Sequence, residues 1–127
     1  MASELRVNTL KDAAGNNSIA TSFVANGSAK AWINFNGTGT VAIRDSLNIA
    51  SLLDAGTGLY NCAISSDFTN ANFSTTGAAG ENDDSGGNRS LGLRAKTSGT
   101  QNVRGFRDGV TADDMAEMCF QCMGDLA

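Results

Sequence analysis

The segment that decides the fold is AKAWINFNGTGTVAIR, residues 29–44. In its first half Ala31, Ile33 and Phe35 occupy every second position, and a period of two predicts a half-buried strand. Residues 36–39 (NGTG) follow, and they have turn chemistry because asparagine and glycine tolerate positive φ angles. Apolar side chains then return at Val41 and Ile43. The segment therefore predicts a β-hairpin.

Other short segments with apolar residues precede and follow this hairpin, and glycine, asparagine and serine separate them. Strands at spacings of about 8–15 residues are typical of antiparallel sandwiches and barrels. In residues 59–65 the alternation puts Tyr60, Cys62 and Ile64 on one face, and in residues 89–96 it points Leu91 and Leu93 inward. The runs that we interpret as further strands are residues 7–10, 18–26, 46–53, 59–65, 72–77, 89–96 and 101–107.

The pattern near the C-terminus allows two interpretations. Met115, Met118, Cys119 and Cys122 recur at three- and four-residue spacing, as on the apolar face of a helix. Met118, Phe120 and Cys122 also alternate with other residues, as on one face of a strand. Periodicity alone favours the helix for residues 115–123.

Composition excludes several classes of function. The 127 residues contain no histidine, so neither a Ser-His-Asp nor a Cys-His catalytic centre can be built. The net charge of −4 argues against nucleic-acid binding. No run of about 18 apolar residues exists, so we expect no membrane insertion. Aromatic residues are only 6% of the chain, which predicts an aliphatic core or one shared with partner chains.

The three cysteines and the acidic residues do not predict a cofactor or a metal. Cys62, Cys119 and Cys122 are too few, without histidine, for a four-ligand structural zinc site, and an odd number is a poor disulfide framework. We expect three reduced thiols. An acidic loop at residues 80–88 could offer oxygen ligands to calcium, but it lacks the EF-hand spacing, so we interpret it as a solvated, mobile tip.

Residues 30–46, KAWINFNGTGTVAIRDS, resemble a segment that recurs in tail-fibre-like proteins of tailed bacteriophages. There an aliphatic strand, a D-x-G-T-G turn and an aromatic-bearing strand follow, and this chain has residues 46–53, 54–58 (DAGTG) and 59–65 in those places. The resemblance covers about residues 4–79 and is looser from residue 89 onward. By position it implies a final strand, and this decides our prediction of a strand over residues 115–123.

The resemblance implies an all-β fold: an antiparallel β-sandwich or jelly-roll-like knob with a short extended N-terminal arm, assembled as a homotrimer. We call residues 1–28 the arm, with an attachment role, and residues 29–127 the knob. The implied function is a non-enzymatic structural protein of the virion, assembled in the host cytoplasm. Its partners would be tail, adaptor or capsid proteins and a host-surface glycan. The alternatives are a dedicated glycan-binding adhesin and a capsid decoration or head-fibre protein.

Residues are assigned to these roles as follows. Candidate attachment residues in the arm are Leu5, Val7 and Leu10. Candidate receptor-facing loop residues are Asn36, Thr38, Glu81, Asn82, Asp83, Asp84 and Asn88. Candidate core or subunit-interface anchors are Trp32, Phe35, Tyr60, Met118 and Phe120. Trp32 has a second interpretation, stacking against a sugar at the surface.

Charge along the second half of the chain is segregated. A basic stretch precedes an acidic one, which suits pairing between strands or between chains, with an anion-binding face as the alternative. We interpret Asp113 and Asp114 as a solvated turn or helix cap rather than an acid/base pair. The basic residues are Arg89, Arg94, Lys96, Arg104 and Arg107, and the acidic ones are Asp108, Asp113, Asp114, Glu117 and Asp125.

Overall fold

The computed structural model describes residues 3–81 and 87–127. The fold is predominantly β with antiparallel sheets, as the alternation predicts. The elements are β1 (Thr9–Leu10), β2 (Ile19–Ala20), α1 (Thr21–Gly27), β3 (Ala29–Asn36), β4 (Ala42–Leu47), β5 (Ile49–Gly56), β6 (Leu59–Ile64), β7 (Ser74–Gly80), β8 (Arg89–Thr97), β9 (Thr100–Arg107), β10 (Thr111–Ala112) and β11 (Glu117–Met123).

The first sheet has four strands in the order β4-β3-β11-β7. The two strands of the predicted hairpin, β3 and β4, pair antiparallel. β3 lies inside the sheet and β4 forms one edge. β11 lies between β3 and β7, with Phe120 opposite both Ile33 and Gly77. The C-terminal segment is therefore a strand, and the helical interpretation of its periodicity is wrong. Its inner face carries Met118, Phe120 and Cys122, all buried.

The second sheet is built around β9. β8 pairs along the whole of one side of β9, whereas β6 and then the short β10 share the other side. β5 pairs with the far side of β6 and forms an edge. The predicted face of β6 is confirmed, because Tyr60, Cys62 and Ile64 are buried while their neighbours are not.

Side chains from both sheets form one buried cluster. Phe35 of the first sheet meets Tyr60 of the second edge to face, with ring centroids 5.0 Å apart. A polar link also joins the sheets: the Thr75 hydroxyl donates to Oε1 of the fully buried Gln101 at 2.8 Å, and Gln101 Nε2 donates to the Asn102 carbonyl. Each large apolar side chain buried here contributes roughly 1.5–3 kcal/mol.

Residues 46–53, predicted as one strand, are divided between the two sheets. β4 ends at Leu47 and β5 begins at Ile49, and Asn48 between them has a φ of 57°. The Asn48 side chain holds this corner by accepting from Ser66 N at 2.7 Å and donating to its carbonyl at 3.1 Å. Asparagine tolerates the left-handed region that most residues avoid, so the corner is formed at this position.

Two further expectations need correction. Leu93 is not buried: it is 52% exposed, although it lies opposite the buried Val103, while Leu91 packs on the core. Residues 18–26 are not one strand, because only Ile19–Ala20 is extended and Thr21–Gly27 is the helix α1.

With seven residues α1 is far shorter than a bilayer demands, and no other helix in the described part of the chain could span one.

Candidate functional site

The outer face of the four-stranded sheet carries Trp32. Leu47, Trp32, Gln121 and Thr76 lie opposite one another in turn across β4, β3, β11 and β7. Directly opposed residues of an antiparallel sheet share a face, and this row lies on the side away from the core. Trp32 is half-buried and is not part of the chain's own core, which corrects the expectation of a core anchor.

Phe35, Tyr60, Met118 and Phe120, the other predicted anchors, are all buried in the core cluster. They pack within this chain, so none of them is exposed to form a subunit interface. The alternation of β3 thus divides the predicted anchors between two faces, with Phe35 inside and Trp32 outside.

A groove of about 570 Å³ runs over this outer face beside Trp32. No charged residue lines it, although 17% of the chain is charged. Its outward-facing side chains combine an indole, a thiol, an amide and a hydroxyl with small residues, and they belong to Trp32, Asn34, Thr76, Ala78, Cys119 and Gln121. Thr76 and Gln121 are both exposed, and within residues 3–81 and 87–127 no side-chain hydrogen bond engages either of them.

A polar network holds one end of the groove. Asn34 Nδ2 donates to Glu117 Oε1 at 2.6 Å, and Asn34 Oδ1 accepts from Arg44 Nη1 at 3.1 Å. Arg44 also pairs with Glu117 Oε2 at 2.7 Å and donates to the Ala116 carbonyl at 2.6 Å. A register shift after Asn34 leaves Arg44 out of the β3–β4 pairing, which lets its side chain reach β11. The network orients the Asn34 amide, so that end of the groove is pre-formed.

The predicted loop residues of the hairpin turn are engaged inside the chain. Asn36 Oδ1 accepts from the Thr38 hydroxyl at 2.8 Å, and Asn36 Nδ2 donates to the Thr38 carbonyl at 2.7 Å. The turn is fixed from below, because Tyr60 donates its hydroxyl proton to the Gly37 carbonyl at 2.9 Å. A Cβ at Gly37 would overlap the Tyr60 hydroxyl, so only glycine fits there.

The predicted acidic tip is described only at its ends. Glu81 forms an ion pair with Arg89 at 3.2 Å, and both side chains are largely buried. Asn88 is exposed, and its carbonyl accepts from Asp108 N at 2.9 Å. The predicted loop residues Asn82, Asp83 and Asp84 lie outside the described residues.

Asp114 has a structural role that the sequence interpretation missed. Its Oδ1 accepts from Gly58 N at 2.6 Å and from the Tyr60 hydroxyl at 3.1 Å, so it is not simply a solvated turn residue. Burial, followed by the charge of Asp114, holds the pKa of Tyr60 well above its usual value. Nothing in the spacing of residues 58, 60 and 114 signals this contact, because only the packing of the two sheets creates it.

The three cysteines are free and occupy two environments. Cys62 and Cys122 are buried in the core, and Cys119 is half-buried on the groove face. Burial, with a smaller contribution from Cys122, raises the pKa of Cys62 to about 12, and burial also raises the pKa of Cys122. Among residues 3–81 and 87–127, no group of three or more histidine, cysteine or acidic side chains could hold a metal ion.

Apart from Arg94, the basic residues after position 88 are distributed among separate intrachain contacts. Arg107 pairs with Asp113, and Arg104 lies over the Phe106 ring at 4.6 Å. Lys96 lies over the Phe73 ring and donates to the Phe73 carbonyl at 2.6 Å. These contacts favour the interpretation of pairing within the knob over that of an anion-binding face.

The arm is exposed over most of its described residues, 3–28, with Ala20 and Thr21 half-buried. None of them is buried, and the candidate attachment residue Leu5 is 80% exposed, with Val7 and Leu10 also exposed. The arm's elements pair with one another, β1 with β2, and α1 lies beside β2. The arm therefore presents apolar side chains that this chain does not cover.

No protein-family model, curated protein or solved structure matches this chain.

Proposed function

We propose that this protein is a non-enzymatic structural component of a tailed-phage particle, a short trimeric fibre or knob. In this proposal the two sheets of the knob pack as a β-sandwich, and the arm attaches it to other virion proteins. The resemblance of residues 30–46 to tail-fibre-like proteins supports the setting. The observation that carries the proposal is the arm: 26 described residues, 3–28, without one buried side chain.

An uncovered arm beside a well-buried core is expected of a protein that works in an assembly. Leu5, Phe23 and Val24 expose apolar surface that costs free energy in water unless a partner covers it. The knob meanwhile buries side chains of both sheets without the arm. The division of the chain therefore matches one folded body and one attachment segment.

Particle composition tests this proposal. Phage particles purified by density gradient are analysed by mass spectrometry, and antibodies against the knob are located on them by electron microscopy. We expect the protein in the particles, in a copy number divisible by three, with label on the tail. Its presence in the infected-cell lysate but absence from purified particles would defeat the proposal, and label over the head would make it a capsid decoration protein instead.

A second candidate function, binding of a host-surface glycan, is favoured by the groove beside Trp32. An indole face packs against the C–H face of a sugar ring, and an amide and a hydroxyl can bond its hydroxyl groups. Trp32, Gln121 and Thr76 bring these groups to one uncharged surface. The fit is to a neutral glycan, since no lining side chain would pair with a charged one.

Tryptophan emission tests the second candidate directly, because Trp32 is the only tryptophan in the chain. Titration with neutral hexose and N-acetylhexosamine oligosaccharides should shift the emission, and Gln121→Ala should weaken binding about tenfold, the effect of losing a well-formed hydrogen bond. Asn61→Ala, on the outer face of the other sheet, is the matched control and should bind normally. Unchanged emission at millimolar oligosaccharide would exclude the site.

A further inference from the structure

We propose that Asn26, at the joint between the arm and the knob, is a site of spontaneous covalent modification that converts it to aspartate and isoaspartate. The reaction needs only water. It goes beyond the proposed function, because it concerns the chain itself and not its place in a particle. Asn36, in the hairpin turn of the knob, also precedes a glycine, and its contacts protect it from the same reaction.

The chain contains two Asn-Gly dipeptides, Asn26-Gly27 and Asn36-Gly37. In such a pair the backbone nitrogen of the glycine attacks the side-chain carbonyl carbon of the asparagine. The new C–N bond closes a five-membered succinimide ring, and the side-chain nitrogen leaves as ammonia. One water then opens the ring at either carbonyl, which gives aspartate or isoaspartate without any oxidant or reductant. Asparagine is thermolabile for this reason, and glycine favours the attack because it has no Cβ to obstruct it.

The surroundings of Asn26 leave this reaction open. Asn26 and Gly27 are both exposed, and among the residues that the structure describes no hydrogen bond engages the Asn26 side chain. A Cβ placed at Gly27 would meet no atom within 4 Å, so the space beside the attacking nitrogen is free. Lys30 Nζ donates to the Ala25 carbonyl and to the Ser28 hydroxyl, which flank the dipeptide without engaging its side chain.

The helix that contains Asn26 gives it little protection. A helical backbone keeps the glycine nitrogen away from the preceding side chain, so the helix must open before the ring can close. α1 has seven residues, no side-chain cap and no buried residue, whereas isolated helices shorter than about 12–15 residues are marginal in water. Asn26 and Gly27 are its last two residues, and helix ends fray. The reactive conformation is therefore reached at a small cost in free energy.

Asn36 has the opposite surroundings. Its Oδ1 accepts from the Thr38 hydroxyl at 2.8 Å and its Nδ2 donates to the Thr38 carbonyl at 2.7 Å, so both ends of the amide are held. The nitrogen that would attack it, Gly37 N, donates instead to the Met115 carbonyl at 2.8 Å. Gly37 also packs so closely on the Tyr60 hydroxyl that a Cβ would overlap it. Ring closure at Asn36 therefore requires the turn to leave the second sheet.

Conversion of Asn26 changes the connection between the arm and the knob. Only Ser28 separates the end of α1 from β3. Isoaspartate routes the main chain through the former side chain and so lengthens it by one methylene group, which interrupts the last turn of α1. Either product also places a negative charge at the C-terminus of this helix, where the helix dipole disfavours it. The change is confined to the joint, because the core cluster includes no residue of the arm.

Peptide mapping of the purified full-length protein tests the proposal, after incubation at mildly alkaline pH. Cleavage after lysine and arginine separates the two asparagines into residues 12–30 and 31–44, and fragmentation locates the change within each peptide. We expect Asn26 to gain the mass difference between an amide and a carboxyl group at least about tenfold faster than Asn36, because opening the arm costs far less than opening the knob. Anion exchange should separate the product, which adds one negative charge to the net charge of −4.

Two controls distinguish the effect of structure from that of sequence. In concentrated urea both asparagines should convert at similar rates, because the contacts of Asn36 are then lost. Gly27→Ala should suppress conversion of Asn26 and leave the knob unchanged, because the added methyl group meets no neighbour.

Three results would overturn the proposal. They are an Asn36 that converts as fast as Asn26 in the folded protein, an Asn26 that stays intact while it converts in urea, and a ratio of the two rates that urea leaves unchanged. Conversion of Asn26 in the Gly27→Ala protein at the wild-type rate would also contradict it. All of these readouts are made on the isolated protein, so they stand or fall separately from the particle analysis.

Discussion

The arm and the knob both contain large apolar side chains, but these are exposed in the arm and buried in the knob. Phe23 in the arm is 71% exposed, and Phe35, twelve residues later, is fully buried. Both regions contain hairpins with well-made turns, at Asp12 and at Asn36. Of these two, the knob hairpin, β3–β4, has a further strand at its side and shares a buried cluster with the second sheet. Local turn chemistry thus specifies a hairpin, and burial against other elements makes it stable.

This contrast also separates two kinds of sequence information. The side-chain hydrogen bonds that form the arm's turn join Asp12 to residues no more than five positions away. In the knob the decisive contacts join distant residues, such as Asn34 with Glu117 and Tyr60 with Asp114. The arm is therefore the region that local contacts hold together, and the knob is the region that long-range contacts hold together.

The largest effect should come from charge placed on either side of β11. Phe120 is 3% exposed and faces the core, so Phe120→Asp should cost more than about 4 kcal/mol and unfold the knob. Cys119 faces the groove, and Cys119→Asp should cost about 1 kcal/mol. Urea unfolding measures both, and a folded Phe120→Asp protein with an unfolded Cys119→Asp protein would refute the strand.

A smaller loss should follow from raising the pH. An unfolded thiol ionises near pH 9, whereas Cys62 in the folded knob has a pKa of about 12. Between these values the unfolded chain releases a proton that the folded chain keeps, so the stability present below pH 9 declines as the pH rises towards 12. The loss should approach about 4 kcal/mol near pH 12, since about three pKa units separate the two states and each corresponds to about 1.4 kcal/mol.

Chemical unfolding at a series of pH values measures this decline, at one protein concentration throughout. Burial also raises the pKa values of Cys122 and Tyr60, so both add to the slope in the same direction. Cys62→Ala should lower stability at pH 7 yet flatten the decline above pH 9. A slope that Cys62→Ala leaves unchanged would contradict the assignment.

Next in size is the link between the Tyr60 hydroxyl and its two acceptors. Tyr60→Phe removes the donor to the Gly37 carbonyl and to Asp114, and leaves both without that partner. The cost should be about 2 kcal/mol in the free energy of unfolding. Repeating the substitution in an Asp114→Asn background tests the pair, and additive effects of the two changes would show that they are not coupled.

The smallest effect should come from the arm. Leu5→Asp should change the free energy of knob unfolding by less than about 0.5 kcal/mol. Leu5 is 80% exposed and touches no part of the core. A loss above about 1 kcal/mol would mean that the arm packs on its own knob, and the contrast between the two regions would fail.

The sequence predicts only the part of the groove's lining that β3 supplies. The alternation of residues 29–36 puts Trp32 and Asn34 opposite the core face, and the structure confirms that division. The other walls come from β11 and β7, which join β3 only through long-range pairing. No spacing rule brings Gln121 and Thr76 beside Trp32, because their partners are chosen by the packing of the whole sheet.

What the sequence determined by itself was the alternating faces of β3 and β6 and the turns at Asp12 and Asn36. These depend on neighbours within a few residues, through side-chain period and turn hydrogen bonds. The tertiary structure decided the rest. Residues 115–123 suit a helix or a strand in isolation, and pairing with the backbone of β3 and β7 made Glu117–Met123 a strand. Long-range hydrogen bonds and shared burial outweigh a local preference of a few tenths of a kcal/mol per residue.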